Sequence, residues 1–431
     1  MNEKRTDIKK ILEGGYEGRL VSINGWVYEK NPQEKSVSLL VRDGANSIPV
    51  FVNQEDHQDL YHSALKIKKE SLVMIEGLVF SDNSIAGKYG IRMKLLNVNS
   101  SADYPSQEQL LSSDFRFMKV REQKQIAVWG ISNTVSRAIR NYLEQKGFKE
   151  YPTPSITSMA AEDPRKVFTF QYYEELAQLQ QTGELHLETG AIALGKVYYF
   201  TPTFRKERLQ NNNHLSEFTT IEVAQAFSYL DDMIKLNEEL FKEGITKVIE
   251  ENAKELKILG REPSQIDVKI PFVRLDYNEV VSMSKGKKKD GKSLEIKWGE
   301  NLTHDLVNKL CEEITPPFTV TGIPTSISPF YMKDDPTKNG TTISYDVYVP
   351  KVLEMSTGSE RIQEGKTLLE KLQKKDLLYE RYQWYVDSRQ FGYPPIAGLG
   401  MGKERFLEFI TGLEITDVIP FPRVPTVRPY P

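Results

Sequence analysis

Two short segments, about two hundred residues apart, each combine an arginine with residues suited to holding a phosphorylated ligand. The first reads FRKE at residues 204–207 and continues as HLSEF at residues 214–218. The second reads GLGMGKER at residues 398–405. Arginine carries a permanent planar cation that pairs well with phosphate, and glycine lets the backbone approach a planar ligand closely. Together the segments predict that Arg205 and Arg405 hold a nucleoside triphosphate at the two ends of its phosphate chain.

The composition excludes several classes of protein. The chain has 431 residues, 39% of them hydrophobic, which is enough for more than one domain, and its net charge of −3 argues against nucleic-acid binding through bulk charge. One cysteine, Cys311, allows no intrachain disulfide and favours a reducing, cytoplasmic setting. No apolar run predicts a signal peptide or a membrane span. With five histidines and one cysteine, a metal is expected to be a hard cation on carboxylates, such as Mg²⁺.

The first hundred residues predict a small β-barrel. Five short segments alternate or run apolar between Gly, Asn and Asp breaks, and a helical stretch precedes the fourth. This order is typical of a five-stranded Greek-key barrel of the OB type, with another small barrel or a sandwich as the alternative. The predicted strands are residues 19–28, 36–42, 48–53, 72–80 and 91–98.

The remainder predicts an α+β domain built on a mainly antiparallel sheet flanked by helices, because strands and helices do not alternate as βαβ units. Apolar residues recur at helical spacing over residues 126–146, and Gly147 ends that helix. We therefore expect a barrel domain over residues 1–103, a linker over 104–125 and a second domain over 126–431. Further helices are predicted over residues 229–255, 301–313 and 404–411, and strands over 197–204, 218–227 and 342–349.

The chain resembles the class II aminoacyl-tRNA synthetases of the aspartyl/asparaginyl group, and most closely the asparaginyl branch. Residues 147–154 are similar to the family's first motif, which builds the dimer interface. Residues 203–218 are similar to the second motif, and residues 397–405 to the third. The resemblance extends from GWV at residues 25–27 to DVIPFPR at residues 417–423. It implies an anticodon-binding OB barrel, a class II catalytic domain, a homodimer, and ATP and Mg²⁺ as substrate and cofactor.

The resemblance also implies a reaction, in which an amino acid and ATP give an aminoacyl-adenylate and pyrophosphate. Arg205 would contact the α-phosphate and Arg405 the γ-phosphate of a bent ATP, and both would be catalytic through fixed positive charge. From the residues alone, the favoured interpretation of Arg405 is an ion pair at a helix start, and that of Glu354 is a surface carboxylate on a strand. The other implied ATP-binding residues are Glu207, His214, Leu215, Phe218, Gly400 and Gly402, and the implied metal-binding residues are Glu354, Ser356 and Asp346.

The amino-acid pocket departs from the family in one respect. TGELHLE at residues 182–188 aligns with a segment that usually reads Ser-Gly-Gln-Leu and binds the substrate's α-amino group, so Glu184 replaces a glutamine. A carboxylate also pairs well with an ammonium group. Arg361 matches the arginine that recognises the substrate's side chain, and Glu222 follows the asparaginyl pattern, which favours asparagine over aspartate. The implied amino-acid-binding residues are Glu162, Glu184, Glu188, Glu222 and Arg361.

Further departures concern the loops around the site. Glu162 lies in a flexible loop, residues 159–168, whose usual glycines are replaced by Asp-Pro-Arg. The family usually carries an arginine at the position of Asn213, a second arginine at Gln390 and a histidine at Ile396. We expect these changes to remove cations and an imidazole from the wall of the site.

The barrel departs from the family at its base-stacking position. Where the family stacks an anticodon base on a phenylalanine, this chain has Ser38. Stacking on an aromatic side chain contributes roughly 1–3 kcal/mol per base, so its absence weakens the expected affinity for tRNA. Trp26, Tyr28 and Phe51 could stack bases instead, or they could form the core of the barrel.

Three functions follow as hypotheses. The first is an asparagine–tRNA ligase, or an aspartate-specific one, that works as a homodimer. The second is a paralogue that adenylates an amino acid and passes it to a non-tRNA acceptor, as an amide- or amine-forming ligase. The third is an inactive nucleotide- or RNA-binding regulatory dimer. Retention of Arg205, Glu354 and Arg405 argues against the third, and the first is preferred.

Overall fold

The computed structural model describes residues 5–85, 87–207 and 214–430, and the chain divides into two compact units, Met1–Phe115 and Arg116–Pro431. In the first unit five strands close a barrel in the order β1-β2-β3-β5-β4, which confirms the predicted barrel. Its strands are β1 (Leu20–Pro32), β2 (Ser36–Arg42), β3 (Ser47–Asn53), β4 (Leu72–Ser81) and β5 (Tyr89–Ser100). Its helices are α1 (Ile8–Leu12), α2 (Gln58–Lys66) and α3 (Gln107–Leu111).

The barrel core follows from strand alternation, since neighbouring side chains point to opposite faces. In β2, Val37, Leu39 and Val41 point inward and are buried, whereas Ser38 points outward and is half-buried. The three aromatic side chains named above also lie on the outer side. The Arg42 guanidinium lies 4.9 Å from the Trp26 ring centre, for example. The alternative that these aromatics form the barrel core is therefore wrong.

The second unit is built on one large sheet. Eight of the strands in this unit form the large sheet, and the others form two small sheets. The strands of the unit are β6 (Lys149–Glu150), β7 (Ile156–Thr157), β8 (Thr169–Tyr172), β9 (Glu175–Leu179), β10 (Lys196–Phe204), β11 (Glu217–Ala226), β12 (Val273–Asp276), β13 (Lys288–Lys289), β14 (Lys292–Ser293), β15 (Phe318–Thr321), β16 (Ser344–Val349), β17 (Leu353–Glu360) and β18 (Ile396–Gly402). The order in the sheet is β12-β15-β16-β17-β18-β11-β10-β6. Its inner pairs are antiparallel and only the two edge pairs are parallel, which confirms the predicted fold class.

Helices cover this sheet as expected for an α+β domain. They are α4 (Arg116–Lys119), α5 (Gln123–Gln145), α6 (Glu184–Leu194), α7 (Leu230–Glu251), α8 (Ala253–Ile258), α9 (Tyr277–Ser284), α10 (His304–Leu310), α11 (Gly365–Lys374), α12 (Tyr379–Asp387) and α13 (Lys403–Thr411). The apolar face of α5 packs Ile131, Val135 and Ile139 into the largest core cluster. Gly412 follows α13 with φ +70°, a left-handed conformation that suits glycine at a helix end. Among the described residues, no helix is long and apolar enough to cross a membrane.

Two predicted helices differ from the structure. The predicted helix over residues 301–313 starts only at His304, because the Thr303 hydroxyl accepts the Leu306 backbone N–H at 3.3 Å and caps it. The long helix predicted to residue 255 breaks at Asn252 into α7 and α8. Short helices, α3 and α4, lie within the stretch 104–125, whose role as a linker stays a prediction.

Candidate active site

A cavity of about 230 Å³ lies in the second unit, where the two arginine segments meet. Four neighbouring strands, β10, β11, β18 and β17, carry or lead into many of its lining residues, so the sheet order brings together segments that are far apart in the chain. Glu188 and Arg361 are the two predicted site residues outside the lining. The predicted residues that line it are Glu162, Glu184, Arg205, Glu207, His214, Leu215, Phe218, Glu222, Asp346, Glu354, Ser356, Gly400, Gly402 and Arg405.

Arg205 follows the end of β10, where its backbone N–H extends the ladder by donating to the carbonyl of Ser216 at 2.9 Å. Its Nη2 donates to the Glu162 carboxylate at 2.7 Å, and its guanidinium lies 5.5 Å from the Phe218 ring centre. Its buried Nε has no hydrogen-bond partner among the described residues. A buried donor without a partner costs about 1–3 kcal/mol. An anion that enters the cavity can therefore bind this N–H.

Arg405 projects from the first turn of α13 towards β17. Its Nη1 donates to the backbone carbonyl of Glu354 and lies 3.8 Å from the Glu354 carboxylate. The ion pair at a helix start considered from the sequence is therefore present, and it forms part of the cavity wall. The Glu354 carboxylate lies beyond hydrogen-bond distance of Arg405, so an anionic ligand in the cavity can still bind this guanidinium.

Glu207 and His214 lie together at one side of the cavity. The Glu207 carboxylate accepts from Lys166 Nζ at 2.8 Å and lies 3.8 Å from His214 Nε2. Burial opposes the ionisation of Glu207, but the Lys166 hydrogen bond and the Lys166 and His214 charges outweigh it and lower its pKa. The Asn213 departure lies outside the described residues.

Two carboxylates, Asp346 on β16 and Glu354 on β17, form an acidic pair in the cavity. Burial and the Glu354 charge raise the pKa of Asp346 to about 7, although Thr357 and Tyr348 hydroxyls donate to it at 2.5 and 3.2 Å. The nearby Ser356 hydroxyl accepts from Asn237 at 2.9 Å. In the described ranges, no group of three or more His, Cys, Asp or Glu side chains is arranged so that it could hold a metal ion. The two carboxylates are hard oxygen ligands of the kind that would suit Mg²⁺.

Glu222 on β11 also lines the cavity and is fully buried. Its carboxylate accepts from the Thr182 and Thr201 hydroxyls at 2.5 and 2.6 Å and from the backbone N–H of Gly183 at 3.0 Å. Burial and the charge of Glu184 raise its pKa to about 8, against the effect of these donors. Protein donors therefore hold both Glu222 oxygens at the cavity wall.

Arg361 lies behind the cavity lining, and only 1% of its side chain is exposed. Its Nη2 donates to Glu184 and its Nη1 donates to the Ser359 hydroxyl at 2.6 Å. A Cβ at Gly398 would lie 2.7 Å from Arg361 Nη2, so this glycine makes room for the arginine. The expectation that Gly398 allows a ligand to approach is therefore wrong, because a protein side chain occupies that space.

Glu188 also lies behind the lining, where it anchors a second arginine. Its carboxylate accepts from Arg389 Nη2 at 2.9 Å, from the Tyr385 hydroxyl at 2.8 Å and from the Tyr393 hydroxyl. It also lies 3.3 Å from Arg361 Nε. Both oxygens of Glu188 are thus occupied by protein groups.

Gln181 is a cavity residue that the sequence reasoning missed. Its side-chain oxygen accepts from the Glu162 backbone N–H at 3.0 Å, and its Nε2 donates to the Asp163 carbonyl at 2.8 Å. These bonds tie the loop 159–168 to the cavity. The signal in the sequence is that Gln181 directly precedes residues 182–188, the segment predicted to bind the amino acid.

Two departures from the family lie away from the cavity lining. Gln390 is exposed, and Ile396 is buried in a separate apolar cluster. The loss of a cation and an imidazole from the cavity wall, expected from these two positions, is therefore not observed.

Comparison with known proteins agrees with this geometry. A model of the family described as "tRNA synthetases class II (D, K and N)" matches residues 108–425. Asparagine–tRNA ligases of Desulforamulus reducens and Pelotomaculum thermopropionicum are 32% and 33% identical, over 95% of this chain and 96% of each relative. The crystal structure of asparaginyl-tRNA synthetase from Pyrococcus horikoshii complexed with asparaginyl-adenylate is similar, with TM-score 0.91, 29% identity and coverage of 99% of this chain and 100% of that one. The chain therefore belongs to the class II tRNA synthetases of the D, K and N group and is a ligase of that type.

Proposed function

We propose that this protein is a cytoplasmic homodimer that activates asparagine with ATP and transfers the asparaginyl group to tRNA. One observation carries the proposal. Two arginines from distant segments, an acidic pair and five further carboxylates line one cavity. The similarity to asparagine–tRNA ligases over 95% of the chain supports asparagine as substrate.

In the proposed first step, a carboxylate oxygen of asparagine attacks the α-phosphorus in line, and the bond to the bridging oxygen of pyrophosphate breaks. Arg205 stabilises the negative charge that develops on the α-phosphate, where its partnerless Nε supplies a donor. Arg405 holds the γ-phosphate, and Phe218 lies against the adenine side. The protein thus contributes positioning and fixed positive charge. Asp346 and Glu354 would hold Mg²⁺, which supplies charge neutralisation between phosphate oxygens.

In the proposed second step, a terminal ribose hydroxyl of tRNA attacks the asparaginyl carbonyl, and AMP leaves.

A second candidate function is transfer of the activated amino acid to a non-tRNA acceptor, such as a small amine. One observation favours it. Ser38, on the outward face of β2, offers no aromatic ring where relatives stack an anticodon base.

Pyrophosphate exchange and tRNA charging test the proposal together. Each of the twenty amino acids is assayed for exchange, with and without total tRNA, and charging is followed by acid gels. We expect exchange with asparagine alone and charging of asparagine tRNA. Exchange without charging of any tRNA would support the second candidate. Absence of exchange with every amino acid would contradict both.

A further inference from the structure

Glu184 stands between Arg361 and the cavity. It lines the cavity, whereas Arg361 does not and is almost fully buried. The Glu184 Oε2 accepts from Arg361 Nη2, and a Cβ at Gly400 would lie 3.0 Å from Glu184 Oε1. The carboxylate is therefore held between the guanidinium and strand β18. A ligand in the cavity meets the carboxylate before it meets the arginine.

Arg361 cannot readily swing past Glu184, because its other groups are also held. Its Nη1 donates to Ser359, its Nε faces Glu188 at 3.3 Å and its guanidinium lies 4.8 Å from the Tyr331 ring centre. Glu188 is in turn fixed by Arg389, Tyr385 and Tyr393. The positive charge thus stays behind the lining.

Glu184 therefore presents a negative charge to this part of the cavity. Glu184 and Glu222 both line it, and Glu222 is bound by hydroxyl and backbone donors without a cation of its own among the described residues. A substrate carboxylate placed here would face the Glu184 carboxylate in a buried setting, where like charges repel strongly. An N–H group placed here would find acceptors.

We propose that Glu184 is a specificity-determining residue that screens Arg361, so that the pocket accepts an amino acid whose side chain ends in an N–H donor, an amide or an amine, and rejects one that ends in a carboxylate. The inference rests on the proposed activation of an amino acid in this cavity. It differs from the pattern usual in the family, where an uncharged glutamine at this position would leave the arginine's charge unscreened. Replacement of the family's usual glutamine by Glu184 is therefore expected to change which substrate side chains the pocket accepts.

Binding of non-hydrolysable adenylate analogues tests the inference separately from catalysis. The sulfamoyl analogues of asparaginyl-, 2,4-diaminobutyryl- and aspartyl-adenylate are titrated by calorimetry into the full-length protein. We expect the wild type to bind the first two roughly 100-fold more tightly than the aspartyl analogue. If the wild type binds the aspartyl analogue as tightly as the other two, the proposal is overturned. This result needs only the wild type, so it does not depend on whether any variant folds.

Glu184→Gln removes the charge and keeps the shape. We expect it to shift the aspartyl-to-asparaginyl affinity ratio about tenfold or more towards the aspartyl analogue. Glu184→Asp keeps the charge and should keep the wild-type preference, and Glu174→Gln is the matched control because Glu174 is exposed. A ratio unchanged in Glu184→Gln would overturn the proposal. If the analogues follow the predicted order but no amino acid supports pyrophosphate exchange, the proposed function fails while this inference stands.

Discussion

At the scale of single residues, the two arginines of the cavity are held differently. Arg205 is paired with the side chain of Glu162, so an incoming phosphate has to compete with that carboxylate. Arg405 is hydrogen-bonded to the backbone carbonyl of Glu354, and the Glu354 carboxylate lies farther off, at 3.8 Å. The two should therefore contribute differently to ATP binding, with Arg405 preorganised and Arg205 released only when substrate enters.

Replacing Arg405 tests its proposed role. Arg405→Ala removes a fixed cation that has no substitute at that position, so we expect kcat/KM for ATP in pyrophosphate exchange to fall by about 10²–10³. Arg19→Ala, which alters an exposed arginine of the barrel, serves as the control and should leave the exchange rate unchanged. An Arg405→Ala rate equal to that of the wild type would contradict the assigned role.

The acidic pair predicts a pH dependence. Because burial and Glu354 raise the pKa of Asp346 to about 7, its uncharged form is favoured in the folded protein, and ionisation costs stability as the pH rises through 7 unless a cation binds. Mg²⁺ requires the ionised form. The half-saturating Mg²⁺ concentration for exchange should therefore be about tenfold higher at pH 6 than at pH 8. A pH-independent value would show that Asp346 does not hold the metal.

At the scale of elements, a buried cluster joins α6 to the chain segment before β18. Glu188 on α6 accepts from Arg389 and two tyrosines, and this fixes the wall behind Arg361. The cluster explains how a pocket with several carboxylates stays ordered, because each buried charge has a partner or donors.

Breaking this cluster should destabilise the second unit. Glu188→Ala leaves Arg389 buried without its carboxylate, and we expect a loss of about 3–5 kcal/mol in the free energy of unfolding. Urea unfolding followed by the intrinsic fluorescence of the full-length protein measures the effect, with Glu174→Ala as the exposed control. A loss below about 1 kcal/mol would mean that Glu188 contributes little to the fold.

Sequence periodicity predicted the helices and strands better than it predicted which charged side chains are buried behind the cavity. Helix α5 and the barrel strands follow apolar spacing, and the two arginine segments do meet in one cavity. The burial of Glu188 and Arg361 behind that cavity was not predictable. It depends on Arg389 and Tyr393, which come from a different part of the chain and carry no local signal. The outward position of Trp26 follows from strand register, which residue type alone does not fix.

At the scale of the whole molecule, the two units have separate cores, a barrel cluster and a larger sheet–helix cluster. The proposed chemistry belongs to the second unit, and the barrel's proposed part is tRNA recognition. Ser38 is paired across the strands with Phe51 on β3 and Asn31 on β1. A larger side chain at residue 38 would therefore point outward from the barrel, beside Phe51.

Restoring the aromatic ring tests the choice of acceptor. If tRNA binds the outer face of the barrel, Ser38→Phe should strengthen tRNA affinity by roughly 1–3 kcal/mol, because one base regains a stacking partner. The KM for tRNA in charging measures this, and pyrophosphate exchange without tRNA should not change. A KM equal to that of the wild type would favour the non-tRNA acceptor.

A crystal structure of the protein with ATP and Mg²⁺ would show directly whether the two arginines bind one nucleotide. We predict the α-phosphate within hydrogen-bond distance of Arg205, the γ-phosphate at Arg405, and the metal bound by Asp346 and Glu354. A nucleotide bound elsewhere, or bound here with its phosphates remote from both guanidinium groups, would contradict this prediction.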